Sequence, residues 1–249
     1  MAKQDRGIRT RRVILEAAAE VFEEYGYEAA KITDILTRAG VTKGALYFHF
    51  DSKKALALAV LDAQVAEAPQ QLPQASKLQE IVDLGMVFAH RLTHDQLVRG
   101  SVRLTLDDTG PQLDRSGPYS GWSEIHTRTL QEAKDRGELL AHVDPVESAT
   151  LLVGAYAGVN MMARSTNKRH ELDRRASALY RHFMPSIAVP AVLASLDMSP
   201  GRGERALVAA EEITAEEIAA EGSASEGVTA DAVATDHILV ADGAESVPG

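Results

Sequence analysis

Residues 42–49 read Thr-Lys-Gly-Ala-Leu-Tyr-Phe-His, a run that suits the binding of phosphate better than catalysis. Thr42 is typical of a helix N-cap, which places Lys43 and Gly44 in the first turn of the helix that follows. That turn offers a cation, a bare backbone and free N–H groups, and these are the groups that hold phosphate at helix N-termini. The run therefore predicts a short helix that faces a phosphate-lined surface.

The preceding residues predict a second helix beside it. Thr33 is expected to cap a helix that carries Ile35 and Leu36 on its apolar side, and Gly40 suits the left-handed C-terminal cap that ends it. Two short helices at a sharp turn form a helix-turn-helix, in which the second helix enters the major groove of DNA. We call residues 43–49 the reading helix.

The DNA-facing surface is expected to combine this turn with cationic side chains before and after it. Its predicted members are Arg9, Arg11, Thr33, Thr42, Lys43, Gly44, Ala45, Tyr47, His49 and Lys53. Most such contacts go to phosphates, whereas Thr42 and Lys43 also lie where they can reach base edges. The alternative is that Tyr47 and His49 only cover the hydrophobic core of the domain, and that the arginines are ordinary surface residues.

The residues from Ile35 to Lys53, above all the run from Ala39 to Phe50, resemble the N-terminal DNA-binding region of the tetracycline-repressor (TetR) family. The resemblance covers about a fifth of the chain. It supports Lys43, Gly44, Tyr47 and His49 as the DNA-facing set and implies a transcriptional regulator. It does not identify a ligand, because members of this family share the DNA-binding end and differ beyond it.

The charge of the chain is unevenly distributed. The 249 residues carry a net charge of −10, which by itself disfavours nucleic acid as a partner. Residues 198–249, however, hold two basic and eleven acidic residues, while the first twelve residues hold five basic residues and one acidic. A basic arm beside a helix-turn-helix is the electrostatic footprint of a DNA-binding protein. We expect residues 1–8 to form a mobile arm.

Composition limits the protein class. No apolar run approaches the roughly 20 residues that span a bilayer, and the first residues lack the apolar stretch of a signal peptide. The chain contains no cysteine, so disulfide and thiolate chemistry are excluded. These features favour a cytoplasmic protein with no membrane partner.

Apolar residues recur at helical spacing throughout, and no stretch alternates with period two for long, so we predict an all-α fold. Residues 1–50 are expected to form the helix-turn-helix domain, and residues 51–197 an α-helical ligand-binding and dimerisation domain. Its first helix, over 51–67, is apolar on several sides and is expected to pack on several sides as a linking, or lever, helix. Residues 198–249 are rich in Gly, Ala, Glu and Ser, and they predict a disordered acidic tail.

The second half resembles a narrower group within the same family, the γ-butyrolactone-type autoregulator receptors. The residues that carry this resemblance are Ala59-Val60, Gly117–Trp122 and Leu152–Val159. It implies that Trp122 lines a ligand cavity, which Gln64 reaches from the lever helix. The tryptophan is the only one in the chain, and its indole N–H requires a hydrogen-bond partner. The predicted cavity residues are Gln64, Leu84, Val87, Phe88, Trp122, Tyr156, Asn160 and Met161.

This second resemblance is looser, and each of these residues could instead be ordinary core. Ala157 aligns with a position where the group often offers a hydroxyl. Alanine has none, so the chemical subtype of the ligand (γ-butyrolactone, butenolide or furan) stays open.

Catalytic motifs are absent from the sequence. It has no phosphate-binding glycine loop, no G-x-S-x-G elbow and no H-E-x-x-H. His90 and His94 would share one helix face and could hold a metal, but Arg91 lies between them and no cysteine is near. We therefore expect no cofactor and no metal.

These features favour a ligand-responsive repressor that binds near-palindromic operator DNA as a homodimer and is released by a small lactone-like molecule. The helices predicted over 143–165 and 172–183 are candidates for the dimer interface, or they close the core of the monomer. One alternative is a pseudo-receptor that answers a different small molecule or none. A remote alternative is an enzyme that uses His90, His94 or Asp107.

Overall fold

Helices make up nearly all the regular structure of the residues that the structure describes. The computed structural model describes residues 2–66, 68, 74–107, 113–210 and 212. Its α-helices are α1 (Ala2–Ala29), α2 (Ile32–Ala39), α3 (Lys43–His49), α4 (Lys53–Ala66), α5 (Lys77–His94), α6 (Gln96–Leu106), α7 (Ser116–Asp135), α8 (Pro145–Ser165), α9 (Leu172–Phe183) and α10 (Pro190–Leu193). Within these described ranges, the only β pairing is one antiparallel bridge between Leu139 and Ala188. The all-α prediction is confirmed.

The helix-turn-helix is formed by α2 and α3, which lie against α1. Gly40 ends α2 in the left-handed conformation (φ 63°, ψ 31°) and its N–H donates to the carbonyl of Leu36. The hydroxyl of Thr42 accepts the N–H of Ala45 at 3.2 Å and caps α3. Both predicted caps are confirmed. A small core joins the three helices, since one buried cluster contains Phe22, Ile35, Leu46 and Phe50.

Two predictions about helix starts are wrong. Thr33 does not cap α2, because the backbone turns helical one residue earlier. The N-cap position is Lys31, whose side chain makes no capping bond, and the Thr33 hydroxyl lies 3.4 Å from the Asp34 carboxylate. Residues 2–8 are not a separate arm either, since α1 begins at Ala2. No proline lies in this stretch to interrupt the helical hydrogen bonds.

The last named helix, α10, is short because the residues before it pair with another segment. The backbone of Ile187 and Val189 pairs with residues 138–140, through Leu140 N–H to Ile187 O at 2.8 Å and Val189 N–H to Glu138 O at 2.9 Å. A strand-like segment cannot be helical at the same residues, so α10 starts only at Pro190.

The lever helix corresponds to α4, which is capped by the Ser52 hydroxyl at 3.0 Å from the Ala55 nitrogen. This helix contacts α1, α6 and α7, and Leu56, Val60 and Leu61 are buried in it. The prediction that it packs on several sides is confirmed.

Helix α6 belongs to both halves of the molecule. Leu97 and Leu104 join the core of α1–α4, whereas Val98 joins the core of α5 and α7–α9. Its contact with α1 is close, since a side-chain carbon at Gly100 would lie 2.3 Å from the carbonyl oxygen of Ala19. Only glycine allows this approach.

The body of the protein extends past the predicted domain boundary. The guanidinium of Arg202 makes two bonds, of 2.7 and 2.6 Å, to the fully buried carboxylate of Asp83 on α5. Gly203 lies so close to α5 that a side-chain carbon there would be 2.1 Å from the carbonyl of Met86. Residues 1–206 form one unit, so the prediction of a tail from residue 198 starts too early. The predicted disorder of residues 213–249 lies outside the described residues.

The ion pair predicts a stability test. Changing Arg202→Met leaves the Asp83 carboxylate buried without its counter-charge, which costs about 3–5 kcal/mol of unfolding free energy. Arg205→Met is the matched control, because Arg205 pairs with Asp197 at 2.9 Å and both side chains are about half exposed; that change costs about 0–1 kcal/mol. Denaturant titration measures both values, and equal losses would contradict the structural role of Arg202.

Candidate nucleic-acid interface and ligand cavity

The start of the reading helix α3 is open to solvent. Thr42, Lys43 and Gly44 are exposed, and Ala45, whose N–H is held by the Thr42 cap, is half-buried. The Lys43 ammonium lies 5.9 Å from the centre of the Tyr47 ring. An added side-chain carbon at Gly44 would meet only the Thr42 hydroxyl, at 4.0 Å. The first turn therefore presents a cation and bare backbone that no other described element covers.

The aromatic residues of α3 divide between surface and core. Tyr47 is 40% exposed, so it does not fill the core as Leu46 does. The half-buried His49 meets the Phe48 ring edge-on at 5.1 Å. The Phe48 ring is 83% exposed, and the sequence analysis did not include it in the DNA-facing set. The sequence could have predicted that Phe48 belongs to this surface, because residues 44 and 48 are four apart and share one helix face.

The predicted cations outside α3 differ in their surroundings. Arg9 and Arg11 are exposed, and the Arg11 guanidinium lies 5.1 Å from the Phe50 ring centre. Lys53 donates to the carbonyl of Glu28 at 3.1 Å and lies 4.7 Å from the Tyr27 ring centre. Burial lowers the pKa of Lys53. Lys53 thus joins α4 to the end of α1, while the two arginines remain on the surface with Thr33, which is also exposed.

A cavity lies between α4, α5, α6, α7, α8 and α9, and it is mostly apolar. Its free volume is about 60 Å³, which exceeds the roughly 10–15 Å³ that one water requires. Its lining residues are Gln64, Gly85, Phe88, Val102, Thr105, Leu106, Pro118, Tyr119, Trp122, His126, Leu152, Val153, Tyr156, Ala157, Asn160 and Tyr180.

Five of the eight predicted cavity residues line it: Gln64, Phe88, Trp122, Tyr156 and Asn160. Leu84, Val87 and Met161 do not. Successive helix residues are about 100° apart, and the stripe of α5 that faces the cavity runs through Gly85 and Phe88. Leu84 therefore lines a separate groove, Val87 is fully buried elsewhere, and Met161 is 53% exposed on the outer side of α8.

Aromatic rings form one wall of the cavity. Phe88 lies 5.1 Å from Trp122 in an edge-on contact and 5.9 Å from Tyr156. Trp122 also lies 6.1 Å from His126, one helical turn away and nearly parallel. The sequence analysis missed His126, although a spacing of four from the tryptophan would have placed it on the same face.

Three buried polar atoms on the cavity wall have no hydrogen-bond partner among the described residues: the indole nitrogen of Trp122, Nδ1 of His126 and the hydroxyl of Tyr180. An unsatisfied buried group costs about 1–3 kcal/mol, so each of them can gain a partner when a ligand enters. Burial among apolar neighbours lowers the pKa of His126 to about 4, so this imidazole is neutral at pH 7.

Gly85 leaves the space that the Tyr180 hydroxyl occupies at this wall. A side-chain carbon at Gly85 would lie 1.8 Å from that oxygen, so any other residue would push the phenol away. The carbonyl of the same glycine accepts the hydroxyl of Tyr156 at 2.6 Å. Two tyrosines from α8 and α9 thus converge on one position of α5, but only Tyr156 is satisfied there.

The lever helix reaches the cavity through one buried side chain. Gln64, which is 3% exposed, donates from Nε2 to the Thr105 hydroxyl at 3.0 Å. One turn earlier, the Ser101 hydroxyl donates to the carbonyl of Leu61 at 3.0 Å. Thr105 also lines the cavity, so α4, α6 and the cavity share these contacts.

Comparison with known proteins identifies the family. Residues 14–60 match the profile of bacterial regulatory proteins of the tetR family, and residues 116–179 match the tetracyclin repressor-like C-terminal domain. The A-factor receptor protein of Streptomyces griseus is 40% identical over 212 residues, which are 85% of this chain and 75% of that protein. The chain belongs to the TetR family.

Solved structures agree with this assignment. The full-length native TylP of Streptomyces fradiae, a TetR regulator, is 43% identical with a TM-score of 0.78, over 82% of this chain and 99% of that one. A γ-butyrolactone receptor described as an ArpA-like protein is 27% identical with a TM-score of 0.60, and the match covers 83% of this chain and 99% of that one. TetR regulators bind operator DNA, act as dimers and are not enzymes. This chain is a TetR-type transcriptional repressor related to γ-butyrolactone receptors.

Two further sequence expectations concern metal and membrane. The His90 and His94 rings stack at 4.2 Å, and the described residues contain no group of three or more His, Cys, Asp or Glu side chains placed to hold a metal ion. No helix in the described part of the chain is both long and apolar enough to cross a bilayer.

The buried imidazole predicts a pH dependence. In the unfolded chain the His126 pKa is about 6.5, and in the folded protein it is about 4. The unfolded state therefore binds the extra proton between these values. The contribution of His126 to the unfolding free energy is fully present above about pH 6.5. It falls by up to about 3 kcal/mol as the pH drops to 4.

Thermal unfolding of the wild-type protein and His126→Phe between pH 4 and 7 measures this contribution. The variant should lose less stability on acidification, because other groups titrate equally in both proteins. Parallel curves would show that His126 takes up its proton at the same pH in the folded and the unfolded protein.

Proposed function

We propose that this TetR regulator binds a near-palindromic operator as a homodimer and is released by a small, lactone-like signalling molecule. One observation carries the proposal: a cavity wall with three unsatisfied polar atoms is joined to the lever helix by the Gln64–Thr105 bond. The relatives named as A-factor and γ-butyrolactone receptors support the ligand class.

The DNA contacts are assigned to the exposed first turn of the reading helix and to α1. Lys43 and the backbone at Gly44 meet the duplex, Thr42 and Ala45 lie beside them, and Tyr47 and His49 contact phosphates. Arg9, Arg11, Thr33 and Lys53 flank this surface. The exposed Phe48 ring adds an apolar surface suited to a thymine methyl group in the major groove.

The dimer interface is assigned to the outer face of α8. Val146, Leu151, Met161 and Met162 are each more than half exposed there, and Gly154 has open space where a side chain would be. An exposed apolar face of this kind marks an association site, and glycine allows close approach of a second helix. A two-fold axis through α8 would pair two reading helices, with half-sites about 34–36 Å apart or a multiple of that distance.

The ligand acts through its different affinity for two arrangements of the lever helix. We assign operator binding to an arrangement in which α4 is held against α6, and the Gln64–Thr105 and Ser101–Leu61 hydrogen bonds support this assignment. A ligand that prefers a wider cavity shifts α6, and α4 with it, and this changes the spacing of the reading helices. A coupling of about 1–3 kcal/mol lowers DNA affinity about five- to 150-fold.

A second candidate function is a pseudo-receptor that answers a different molecule or none. The free volume of about 60 Å³ favours it, because cavities for drug-sized ligands measure about 300–1,000 Å³. Ala157, which brings no hydroxyl to the wall, also agrees with it. Under the first proposal the cavity must widen when the ligand enters.

A mobility-shift titration on DNA upstream of the protein's own gene, repeated with culture extract, tests the two candidates together. A shift at low salt that the extract reverses is expected for the ligand-responsive repressor. A shift that no extract or lactone reverses would favour the pseudo-receptor. No shift with any nearby intergenic DNA would contradict both.

Lys43→Ala should weaken DNA binding to all sequences and reduce the slope of log K against log salt by about one, because one phosphate contact is lost. The measurement is fluorescence anisotropy of labelled operator at several salt concentrations. Lys168→Ala removes an equal charge from the surface of the body, beside Glu171, and should leave the slope unchanged. Equal slopes in both variants would show that Lys43 does not contact a phosphate of the operator.

Gly44→Leu tests the bare backbone at the reading helix. The side chain meets open space in the free protein, so the melting temperature should stay the same or rise. On DNA it occupies the space of the phosphate backbone, and we expect at least about a tenfold loss of affinity, which corresponds to about 1.4 kcal/mol. Unchanged affinity would show that this turn does not meet the duplex.

A further inference from the structure

Four arginines line a second hollow, which is separate from the ligand cavity. Arg99 and Arg103 come from α6. Arg164 comes from the last turn of α8, and Arg169 begins the 3₁₀ turn that precedes α9. The other described residues that line it are Leu92, Val102, Leu106, Asn160, Ala163 and Leu172. We call this space the arginine hollow.

One carboxylate neutralises part of the charge in the arginine hollow. Glu23 of α1 accepts from Arg99 Nε at 3.2 Å with one oxygen, and from Arg169 Nη1 at 2.7 Å with the other. Both of its oxygens are therefore engaged, and the pair of bonds joins α1 to α6 and to the 3₁₀ turn. The charges of Arg103 and Arg164 are not neutralised by these bonds.

Arg103 and Arg164 make no hydrogen bond and no ion pair with any described residue, although both are half-buried. The buried Asp107 lies near Arg103, since the carboxylate and the guanidinium both approach Gly26 of α1. Burial and the positive charges of its neighbours, chiefly Arg103, lower the pKa of Arg164, whereas the carboxylate of Asp107 raises it. The hollow is thus a site where like charges are held together.

The charges around the arginine hollow do not balance. Its four guanidinium groups face two carboxylates, those of Glu23 and Asp107, which leaves an excess of two positive charges. Guanidinium groups present their N–H donors in a planar fork that matches the oxygens of phosphate. A ligand with two negative charges on one tetrahedral group would balance this excess, whereas a single carboxylate would balance only half of it.

We propose that the arginine hollow binds a doubly charged phosphate group, either inorganic phosphate or the phosphate of a small monoester. The free volume of the hollow is about 30 Å³, which is about the space of two waters. A phosphate group displaces these waters and directs its remaining oxygens toward Arg169. The side chain of Arg169 is 41% exposed, so the organic part of a monoester can extend past it into solvent.

The arginine hollow and the ligand cavity share a wall. Val102 and Leu106 of α6 and Asn160 of α8 line both spaces. A phosphate held by arginines of α6 and α8 therefore ties together two helices that also surround the cavity. The inference goes beyond the proposed function and does not depend on it, because anion binding is measured without operator DNA and without a lactone.

Isothermal titration calorimetry of the full chain at pH 7.5 tests the site, with the ionic strength held constant by sodium chloride. The probes are sodium phosphate, glycerol 3-phosphate and sodium acetate. Both phosphates should bind, and acetate should bind at least about tenfold more weakly because it carries half the charge and fewer acceptors. Phosphate at about ten times its Kd should raise the melting temperature by about 3–6 °C.

The two phosphate probes distinguish the sources of the ligand. Equal affinities assign the site to the phosphate group alone, and tighter binding of glycerol 3-phosphate assigns it to a phosphorylated metabolite. Either result supports the inference. Equal binding of acetate and phosphate would overturn it, and so would the absence of binding by both phosphates.

Arg164→Met separates binding from structure. The change removes one cation from a group of like charges and keeps an apolar stem, so the empty protein should melt at the same temperature or higher. Its phosphate affinity should fall at least about tenfold. Arg181→Met is the matched control, because Arg181 is exposed on α9 outside the hollow. This control should keep the wild-type affinity, and it corrects for the general stabilisation that phosphate salts give.

Glu23→Gln should change stability and affinity in opposite directions. The amide loses the charge that Arg99 and Arg169 share, so the empty protein should melt at a lower temperature. Phosphate should bind about threefold to tenfold more tightly, because a competing negative charge is gone, and it should restore the melting temperature. A lower melting temperature without any gain in phosphate affinity would overturn the inference, as would equal phosphate affinities of the wild-type protein and Arg164→Met.

Discussion

The position of α6 between the two halves of the molecule is the constraint on which the rest depends. Gly100 brings its backbone against Ala19 of α1, while Thr105 and Ser101 bond to α4 at Gln64 and Leu61. Protein interiors are close-packed and deform little, so α6 cannot shift without moving one of its neighbours. Since α6 also forms part of the cavity wall, the volume of the cavity and the orientation of α4 are not independent. This shared packing is a physical basis for coupling a small molecule to DNA over the length of one helix.

The cavity wall holds three buried polar atoms without a hydrogen-bond partner among the described residues, and this lowers stability. Buried polar groups are satisfied in most of the fold, as the Arg202–Asp83 pair illustrates, and the exceptions concentrate where a ligand is expected. Gly85 leaves room for the buried phenol of Tyr180, because a larger residue there would exclude the Tyr180 hydroxyl. The described residues of the same wall carry no formal charge. A site with unsatisfied polar groups rejects partners that lack the matching groups, so the proposed ligand must pair with these atoms.

Charge in this protein is local. The net charge of −10 would disfavour DNA if it were spread evenly along the chain. Lys43, Arg9 and Arg11 are exposed on α3 and α1, whereas residues 198–249 hold eleven of the acidic residues. The net charge of a protein affects its solubility, whereas the distribution of charged residues over its surface affects which partners it attracts.

The sequence determined the features that depend on neighbouring residues. Gly40 and Thr42 end and begin their helices through local backbone chemistry, so the helix-turn-helix and the all-α class followed from the sequence. It also placed Trp122 at a cavity, through a resemblance to related receptors. Tertiary structure alone decided which face of each helix meets that cavity, because the apolar residues of α5 cover more than one face and periodicity cannot choose between Leu84 and Gly85. It also decided that Tyr180 joins the wall, since its close approach to Gly85, 95 residues away, depends on how α5 and α9 pack and leaves no local signal in the chain.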